Sequence, residues 1–530
     1  MVSRVQAEEK AETNDSKTLA GRYTARESER TSYLDRAREC AKLTIPTLVP
    51  PAGHGAHTKY STPYQGVGAR GVNNIASKLL LALFPPNHPF FRLRVEDSVL
   101  EKMQASRGAA EEALSIIEAR VVGEVNGSSM RAQLFEAIKQ LVVSGNVLLY
   151  LPPDSLTLRV FRLDRYVVTR DPMGNVLEII TKEDIAPEAL PPEVAELLEE
   201  GERQDDDQPV EVYTCVEWEE DTQRWEVTQE IRGKKIESSS TSYPKDKNPW
   251  LALRLIAIDN EDYGRGYVEE YLGDLTSLEG LQKAIVEASA AAAKLLIMVA
   301  PNGTTRKRTI AEAPNLAVVE GNAADVTFLR TDKQGDFSIT AQTAQSITER
   351  LSFAFMLNSA VQRNGERVTA EEIRYMASEL EDALGGIYSV LAQELQLPLV
   401  DLLMARMQKQ RKIPALPKGM VKPTITTGME ALGRTADLQR LDTFLQSLAV
   451  LGPETVSTYL NVDEFIKRRA AALQIETKGL IKSQEEVAQA QQTTQQQQAM
   501  MQMAQAAVPN AVKGVADAMN QPPQGEMPNG

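Results

Sequence analysis

The sequence has 530 residues, more than one hydrophobic core ordinarily organises, and it predicts about two to four domains. It is 42% hydrophobic and 25% charged, which is typical of a globular protein; no apolar run reaches the roughly 18 residues of a membrane span, and the polar N terminus does not resemble a signal peptide. The net charge of −15 argues against tight non-specific binding to nucleic-acid phosphates, although DNA could still slide past an acidic surface.

The first half of the chain mixes helical and strand patterns. Apolar residues at helical spacing predict helices over 28–44, 72–84, 98–124 and 129–144. From Gly145 the apolar period changes to two, which predicts strands from Val147 and over 156–169, 176–181, 210–218 and 224–231, with a turn at 171–175. This part of the chain, about 260 residues, is therefore expected to be a mixed α+β region.

Residues 263–414 are predicted to form three helices that act as struts. In the first helix, apolar residues recur every three or four positions over 275–299. Residues 301–337 contain glycines and short apolar runs, which indicate a small αβ module before the second helix. The third helix opens with a capping box at 369–372 and carries one apolar face to Leu395. Nothing in this segment has the pattern of a catalytic site.

The C-terminal part becomes progressively less regular. After Pro414 the chain is rich in proline and glycine, which predicts an irregular connector. Helical spacing returns over 429–451 and 462–473. From residue 483 glutamine, alanine and methionine dominate, so we expect a frayed helix followed by a disordered tail.

Three glycines, Gly66, Gly68 and Gly71, spell GxGxxG ahead of a predicted helix. A dinucleotide site with this pattern needs an apolar strand immediately upstream and an acidic residue about 20 positions on. Residues 57–65 are instead polar and contain a proline. We therefore expect these glycines to permit a tight backbone turn rather than to hold a nucleotide.

The histidines and cysteines do not form a metal-binding pattern. His54 and His57 lie close together and His88 lies further on, but no CxxC or HExxH accompanies them, so solvated loop histidines are expected and no metal is predicted. Cys40 and Cys215 are far apart, which fits a reducing compartment without disulfides. The chain also lacks a GxxxxGK[ST] loop, a GxSxG elbow and a kinase motif set, so neither an enzyme nor a cofactor is predicted.

Basic residues cluster at two places in the strut segment. Arg306, Lys307 and Arg308 fall in the insert between the first two helices, and Arg363 and Arg367 fall in the loop before the third. Two interpretations remain open. The first is that these residues form inter-subunit salt bridges or simply a solvated face, and the second is that they make weak and exchangeable contacts with phosphates.

Four long stretches carry a more specific signal. They are ERTSYLDRARECAKLTIPTLVP, GARGVNNIASKLLLALFPPNHPFFRL, EDYGRGYVEEYLGDLTSLEGL and NGERVTAEEIRYMASELEDALGGIYSVLAQELQLPLV. Together they resemble the portal protein, or head–tail connector, of short-tailed podovirus-type bacteriophages, in the same order and over about residues 27–480.

The resemblance implies a predominantly helical α+β portal fold with a wing, a stem, a clip and a crown. Twelve copies would form a ring around a central channel for double-stranded DNA. The implied divisions are 1–263 for the N-terminal part of the α+β wing, 264–300 for the entry to the stem and the first stem helix, 301–338 for the clip, 339–360 for the second stem helix, 361–368 for the tunnel loop, 369–427 for the long wing helix and connector, 428–482 for the helical crown and 483–530 for the Gln-rich tail.

The resemblance also implies roles for individual residues. The candidate DNA contacts in the tunnel loop are Arg363, Asn364, Gly365, Glu366 and Arg367. The candidate clip contacts, which would face the packaging ATPase and later the tail adaptor, are Arg306, Lys307 and Arg308. Close packing of the stem helices would use Ala290, Ala291, Ala292 and Ala293 with Ala341, Ala344 and Ser346 opposite. Glu279 and Lys283 would form an i, i+4 pair on an exposed face.

The partners implied by the resemblance are further copies of the chain, double-stranded DNA, the major capsid and scaffolding proteins, the packaging ATPase, the tail adaptor and the internal core proteins, with no membrane. The expected location is the head–tail vertex of the virion, after assembly in the host cytoplasm. Two alternatives belong to other classes: a helical scaffold or adaptor without a channel, and a nucleic-acid-processing enzyme. The first is expected to lack the strand-rich insert, and the second would need a metal or phosphate site.

Overall fold

The computed structural model describes residues 18–55, 57–86, 89–95, 107–127, 129–190, 194, 209–292, 296–329, 334–357, 379–380, 384, 386–414, 416, 421–425, 442–448, 462, 465–466, 469–470, 493 and 496–500. The chain divides into two compact units. The first comprises Met1–Ala105 and Ala113–Asp437, and the second comprises Ser106–Glu112 and Leu438–Gly530.

The elements of the chain are, in order, α1 (Leu19–Lys42), α2 (Val67–Leu83), β1 (Phe91–Val95), α3 (Arg107–Gly127), α4 (Met130–Ser144), β2 (Asn146–Tyr150), β3 (Arg159–Phe161), β4 (Tyr166–Arg170), β5 (Val176–Ile185), β6 (Val210–Glu219), β7 (Arg224–Ile231), β8 (Lys234–Pro244), β9 (Trp250–Arg254), α5 (Leu272–Ala292), β10 (Leu296–Val299), α6 (Lys307–Glu312), β11 (Val326–Leu329), α7 (Gln334–Ala354), α8 (Ile387–Leu391), a π-helical turn (Ala392–Gln396), α9 (Leu397–Lys409) and β12 (Val421–Ile425). Short 3-10 turns occur at Leu163–Arg165 and Tyr267–Tyr271.

The four helices predicted in the first half are confirmed, with different bounds. Helices α1 and α2 begin earlier than predicted, and α1 is capped by Thr18, whose hydroxyl accepts a hydrogen bond from the Gly21 amide at 3.1 Å. Helix α4 begins next to Ser129, as predicted. Residues 98–106 of the predicted third helix lie outside the described residues.

The glycine pattern has a different role from the one predicted. Gly68 and Gly71 lie inside α2, so the prediction of a tight turn at these two positions is wrong. A Cβ at Gly68 would lie 2.4 Å from the Leu43 carbonyl oxygen, and a Cβ at Gly71 would lie 2.4 Å from Cγ of Phe355. The missing side chains therefore let α2 approach two other segments closely. No strand precedes α2 in described residues 57–66, which removes the dinucleotide interpretation.

Antiparallel sheets account for the strand-rich region. The five-stranded sheet runs in the order β4-β5-β6-β7-β8, and a three-stranded sheet places β2 between β3 and β9. The predicted hairpin around 171–175 and the pairing of β6 with β7 are confirmed. The single strand predicted over 156–169 is wrong, because the 3-10 turn Leu163–Arg165 separates β3 in one sheet from β4 in the other.

Several strands have no clear signature in the sequence. The largely polar segment Lys234–Pro244 forms β8 at the edge of the five-stranded sheet, where polar residues face water. The predicted connector after Pro414 contains β12, which pairs with β1 through a register that includes Pro423 opposite Leu93. A proline within a strand is compatible with a two-stranded sheet, since its missing N–H can lie on the unpaired side.

Helix α4 lies in the main hydrophobic core. Met130, Leu134, Ile138 and Leu141 are fully buried, and the helix packs against α1, α2 and β2. Each buried leucine contributes roughly 2 kcal/mol by removing apolar surface from water. The helix ends at Gly145, which has a left-handed φ of 74°. The Gly145 amide donates a hydrogen bond to the Leu141 carbonyl at 2.9 Å, and this bond closes the last turn.

Helix α1 is fixed across the five-stranded sheet by arginines. The Arg30 guanidinium is buried and donates to the Tyr166 carbonyl at 2.6 Å. Arg22 and Arg26 both form ion pairs with the buried Glu178 carboxylate on β5. A buried carboxylate is stable in the fold only when its charge is compensated in this way.

The strut segment departs from the predicted helix lengths. The first helix, predicted to reach Val299, ends at Ala292, and residues 296–299 form β10 against β11. A short apolar run is compatible with either a helix or a strand, and here the pairing with β11 makes it a strand. The second helix, predicted over 339–360, begins earlier at Gln334 and ends at Ala354, and residues 358–360 lie outside the described residues. Of the short apolar runs in the predicted module, 326–328 lies in β11, whereas 317–319 is not a strand.

The third strut helix is described only in part. Its predicted capping box at 369–372 lies outside the described residues, and the burial of Leu380, Leu384, Leu391 and Leu395 confirms the apolar face. The helix is not uniform, because α8 and α9 are joined by a π-helical turn in which the Leu397 amide donates to the Ala392 carbonyl. Pro398 follows directly, and it lacks the N–H that a regular helix would place opposite the carbonyl four residues earlier.

The second unit is helical where it is described. Residues 442–448 and 496–500 are helical, as are 462, 465–466, 469–470 and 493. The Arg469 guanidinium pairs with the Asp442 carboxylate at 2.8 Å. In the described parts of the chain, no helix combines the length and the hydropathy needed to cross a membrane.

Candidate functional site

The candidate site is built on a helical hairpin formed by α5 and α7. The start of α5 meets the end of α7, where Arg350 pairs with Asp274 at 2.7 Å, so the two helices run antiparallel. Their inner faces are apolar, with Leu275, Leu278 and Leu351 fully buried. The hairpin therefore has a core contact of its own at its base.

The outer faces of this hairpin carry large apolar side chains that the single chain leaves uncovered, among polar ones such as Glu287 and Glu349. Phe353 is 83% exposed and Ile339 is 65% exposed, both on α7, and Val286 on α5 is exposed as well. Large apolar side chains at this exposure are ordinary when scattered, but several on one hairpin indicate a surface that another chain covers.

The insert at the tip of the hairpin is a small αβ module, as predicted. Strands β10 and β11 pair from Leu296 opposite Leu329 to Val299 opposite Val326. A two-stranded sheet is only marginally stable by itself. Additional contacts are therefore needed to hold the module together.

Those contacts come from a network of hydrogen bonds around Thr305, which is buried. The Asp325 carboxylate accepts bonds from the Thr305 amide (3.0 Å) and the Thr304 hydroxyl (3.1 Å), and these bonds hold the pKa of Asp325 below its usual value. The Thr305 hydroxyl donates to the Asn322 carbonyl at 3.2 Å. A Cβ at Gly303 would lie 2.4 Å from Cγ of Asp325, so only glycine fits there.

The predicted basic cluster lies on the outside of the module. Arg306 precedes α6, and Lys307 and Arg308 occupy its first turn, all three exposed. Arg308 pairs with Glu312 at 2.8 Å, which neutralises one of the three charges. Among described residues, Arg306 and Lys307 have no ion pair. The same module exposes apolar side chains at Leu316, Val318 and Val319, as well as at Ile297 and Met298 on β10.

The predicted DNA-contacting loop itself, Arg363 to Arg367, lies outside the described residues, but its root is described. At the end of α7, the Asn74 amide donates to the carbonyls of Phe355 and Met356, both at 2.9 Å. Lys78, one helical turn further along α2, pairs with Glu379 at 2.9 Å. Helix α2 therefore holds the chain on both sides of the loop.

The YGRGY segment connects this root to the rest of the fold. The Tyr267 hydroxyl donates to the Ala354 carbonyl at 2.9 Å, and the Tyr263 hydroxyl accepts from the Val168 amide at 3.1 Å. Between the tyrosines, a Cβ at Gly266 would lie 2.4 Å from the Val143 carbonyl oxygen. The segment thus ties the sheet, α4 and the hairpin to one another.

Asn74 and Lys78 were not among the residues that the sequence predicted. The sequence gives little signal for them, because Asn74 and Lys78 continue a polar row that begins with the exposed Arg70, four positions before Asn74. In the fold this end of the row is partly or fully buried, so its polar groups need partners, and here the partners are the ends of the loop segment.

Replacing Asn74 with alanine is expected to loosen the loop root. The Phe355 carbonyl loses its side-chain donor and the Met356 carbonyl loses one of its donors while keeping the bond from Lys78 (3.4 Å), which together costs about 1–3 kcal/mol. Hydrogen exchange at residues 355–357 should accelerate and the urea midpoint should fall. The exposed neighbour Asn73 provides the control, since Asn73→Ala should leave both measurements unchanged. Equal protection of 355–357 in the two variants would contradict the anchoring role.

The predicted stem alanines fall into different environments. Ala344 is buried against its own chain. Ala290, Ala291 and Ala341 are exposed in the single chain, Ala292 ends α5, and Ala293 lies outside the described residues. Ser346 is exposed. The exposed members remain available for packing against another chain.

The predicted Glu279–Lys283 pair is wrong. The Glu279 carboxylate instead accepts hydrogen bonds from the amides of Tyr64 (3.0 Å) and Gln65 (3.1 Å), just ahead of α2. Two hydrogen bonds from fixed backbone amides stabilise a carboxylate more than an exposed ion pair with one mobile lysine does. Lys283 lies 3.9 Å from Glu287, one turn further on.

One group within the described residues has metal-ligand geometry. The ligand atoms of Glu178, Cys215 and Glu217 lie within 4.8 Å of one another. Glu178 is already paired with two arginines, and burial raises the pKa of the Cys215 thiol to about 12, so the thiolate that a metal requires is disfavoured. We assign no metal to this group.

Of the three histidines predicted to lie in loops, His54 and His57 are among the described residues. His57 is exposed, and Nε2 of His54 lies 3.4 Å from Nη2 of Arg162. His88 lies outside the described residues. Both cysteines are free and buried.

Comparison with known proteins gives matches along nearly the whole chain. The family model of bacteriophage head to tail connecting proteins matches residues 16–481. The portal proteins of Escherichia phage T7 and Enterobacteria phage T3 are each 44% identical to the chain; the first alignment covers 89% of this chain and 90% of the relative, and the second covers 88% of each. The portal protein of Enterobacteria phage SP6 is 30% identical over 92% of this chain and 94% of its own length.

Among solved structures, a chain from the neck of an empty GTA particle aligns with 71% of this chain and 86% of its own length. The two are 15% identical and the TM-score is 0.35. No detail of the fold is inferred from so loose a superposition.

Proposed function

Since the chain belongs to the bacteriophage head-to-tail connecting protein family, we propose that it is the subunit of the ring at one capsid vertex through which double-stranded DNA is packaged and ejected. The ring also docks the packaging ATPase and later the tail. The family membership rests on a match over residues 16–481 and on curated portal proteins that are similar over about nine-tenths of both chains.

The layout we propose assigns the helical hairpin to the stem. Helices α5 and α7 form its two legs, and the αβ module from β10 to β11 forms the clip. The sheets and the helices before Tyr263 belong to the wing, together with the long helix and connector over 369–427. Residues 361–368 form the tunnel loop, 428–482 the crown and 483–530 the tail.

The observation that best supports ring formation is the concentration of exposed apolar side chains on the hairpin and its module. These residues are Val286, Ile297, Met298, Leu316, Val318, Val319, Ile339 and Phe353. A ring needs two different faces of each subunit that fit head to tail and close. Apolar residues around the hairpin supply such faces, and the exposed Ala290, Ala291 and Ala341 allow neighbouring hairpins to approach closely. The proposed ring has twelve subunits.

The net charge supports a channel through which DNA passes rather than a site that binds DNA tightly. A net charge of −15 per subunit repels the DNA backbone, so DNA is surrounded without being held. The tunnel loop, with Arg363 and Arg367 flanking Asn364, Gly365 and Glu366, supplies the few cations that touch the passing phosphates. Arg306 and Lys307 lie on the clip surface, where they contact the packaging ATPase or the tail adaptor.

The remaining proposed partners are the major capsid protein, the scaffolding protein and the internal core proteins. The proposed location is the head–tail vertex of the virion, following assembly in the host cytoplasm. The family and its curated relatives are portal proteins, and we propose no enzymatic activity. A scaffold or adaptor without a channel is disfavoured by the presence of the strand-containing insert.

The proposed function is tested by packaging into proheads. Proheads assembled with this chain should protect full-length DNA from nuclease in the presence of the packaging ATPase and ATP. Proheads assembled without it should not. Equal protection in both preparations would refute a portal role.

Removing both arginines of the tunnel loop is expected to reduce DNA retention. The variant Arg363→Ala with Arg367→Ala removes two phosphate contacts from each proposed subunit, and the number of such contacts governs binding to DNA. Nuclease-protected DNA per prohead should fall several-fold while ring assembly is unchanged. The exposed lysines Lys42 and Lys59, replaced together by alanine, give the same change in net charge and should have no effect. Unchanged retention would place the DNA contact elsewhere.

A further inference from the structure

A groove with a volume of about 630 Å³ lies between the five-stranded sheet, β9 and the start of α9. All three tryptophans of the chain, Trp218, Trp225 and Trp250, line it. The rings of Trp218 and Trp225 lie 5.3 Å apart, and Trp250 is stacked on Tyr150 with ring centroids 3.9 Å apart. The wall is therefore rigid and aromatic, the kind of surface on which binding sites are built.

The opposite wall comes from the irregular part of the third strut helix. The π-helical turn contributes Gln393 and Glu394, and the first turns of α9 contribute Pro398 and Asp401. A π-turn displaces side chains from their regular helical positions, and such turns are frequent at functional sites. Here the turn contributes two polar side chains to the groove directly ahead of Pro398.

The groove has an excess of negative charge. Its five carboxylates are Asp171, Glu220, Asp246, Glu394 and Asp401. Asp171 is used within its own turn, where it accepts bonds from Asn175. The other four carboxylates have no hydrogen bond or ion pair among the described residues.

The two cations of the groove do not balance these carboxylates. Arg170 is committed to the fold, because its guanidinium donates to the carbonyls of Asp262 (3.0 Å), Gly174 (2.9 Å) and Ala252 (2.9 Å). Lys245 is exposed, and its ammonium lies 5.8 Å from the centre of the Trp218 ring. The contact with Lys245 indicates that the Trp218 ring is accessible to a cation at the mouth of the groove.

We propose that this groove binds an arginine side chain, flanked by aliphatic residues, on a partner polypeptide. A planar guanidinium can stack on a tryptophan and pair with a carboxylate at the same time, which a lysine ammonium does less well. The groove is larger than one side chain, and its apolar lining by Val176, Leu253 and Leu397 suits aliphatic neighbours. The proposal goes beyond the proposed function and does not rest on it, because it is argued from contacts within the single chain.

Asp401 is the carboxylate that we assign to the guanidinium, because it is the least exposed of the four carboxylates without a hydrogen bond or ion pair. It is half-buried, and its burial together with the nearby negative charge of Asp246 raises its pKa to about 6. The positive charge of Lys247 lowers the pKa but does not offset these two effects. Asp401 is therefore ionised at pH 7.5, in an environment that disfavours its charge. Since its folded-state pKa lies above the unfolded value, its protonation favours folding, and this contribution is lost as the pH rises through about 6.

The replacement Asp401→Asn separates binding from folding. The neutral, isosteric side chain should raise the melting temperature at pH 7.5 and raise it less at pH 5, where Asp401 is already protonated in the folded chain but still ionised in the unfolded chain. Binding of a cation should nevertheless be weaker at pH 7.5. If Asp401 served only in packing, its replacement would not both raise the melting temperature and weaken binding at pH 7.5.

Tryptophan fluorescence measures binding directly, because the chain has no tryptophan outside the groove. The probe is an acetylated and amidated tripeptide with arginine between two leucines. The expected result is a saturable change, with an affinity about tenfold higher than that of the same tripeptide carrying neutral citrulline. Spermidine tests for a free cation and should bind more weakly than the arginine tripeptide.

Three variants complete the test. Asp401→Asn should abolish the preference for arginine over citrulline, whereas Asp259→Asn, at an exposed position outside the groove, should retain it. Lys245→Ala should strengthen binding by removing a competing cation. The absence of a saturable signal, equal affinity for arginine and citrulline in the unmodified chain, or spermidine binding as tight as the arginine tripeptide would each overturn the proposal.

Discussion

Replacing Phe353 and Ile339 together with aspartate is expected to abolish ring assembly while leaving the monomer folded. Both side chains are largely exposed in the single chain, so the substitutions remove little contact within it. In the proposed ring they are covered by the neighbouring subunit. Burial of a large apolar side chain contributes about 1.5–3 kcal/mol, and an unpaired carboxylate at the same place adds a desolvation cost.

The two effects repeat at every interface of the ring, so the concentration needed for assembly should rise by about two orders of magnitude or more. Mass photometry and sedimentation velocity would show monomers, and circular dichroism would show unchanged secondary structure. Met173→Asp is the matched control, because Met173 is 86% exposed but lies at the tip of a sheet hairpin. Rings formed by the double variant at the concentration that suffices for the unmodified chain would contradict the proposed interface.

Replacing Gly145 with alanine is expected to produce the largest loss of stability of any methyl-sized change proposed for the chain. The residue has a φ of 74°, a conformation that costs an L-amino acid about 1–2 kcal/mol. In addition, the new Cβ would lie 2.3 Å from the carbonyl carbon of Arg265 and 2.6 Å from the Gly266 nitrogen. Both contacts are with backbone atoms, which cannot rotate away.

The combined strain is expected to lower the free energy of unfolding by about 3–5 kcal/mol, a large share of the roughly 5–15 kcal/mol of a typical domain. Chemical denaturation would measure the loss. Gly123→Ala serves as the control, because Gly123 lies within α3 and a Cβ there would meet no other atom within 4 Å, so alanine should be neutral or stabilising by up to about 1 kcal/mol. Similar midpoints for the two variants would contradict this account of the junction.

The sequence predicts the order of the elements much better than their ends. Regular apolar spacing places α2 and α4 correctly, because both helices bury one face and the sequence records that face directly. The run 296–299 is apolar throughout, and its spacing does not distinguish a helix from a strand. Its partner, β11, begins 27 positions after the end of β10, so the pairing depends on tertiary structure rather than on local sequence.

Glycine and polar residues were harder to interpret than apolar ones. The GxGxxG spacing suggested a turn, yet Gly71 is helical and matters because the Phe355 ring occupies the space of its side chain. The role of Asn74 likewise depends on carbonyl groups more than 280 residues away. Such contacts are invisible in one sequence, since only the fold brings the two segments together.

The resemblance to portal proteins carried the functional prediction further than local chemistry could. No catalytic or metal motif identifies a channel subunit, and its function arises from the assembled ring. The single chain nevertheless shows features that fit the proposed assembly, namely exposed apolar side chains on the α5–α7 hairpin and a loop whose two ends are held by Asn74 and Lys78 on one helix.

Electron microscopy of the purified chain, viewed down the symmetry axis, tests the central claim most directly. The account predicts class averages of a closed ring of twelve subunits with an open central channel, in which the helical hairpins surround the opening. Particles that remain monomers or dimers at every concentration, or closed assemblies without a central opening, would contradict it.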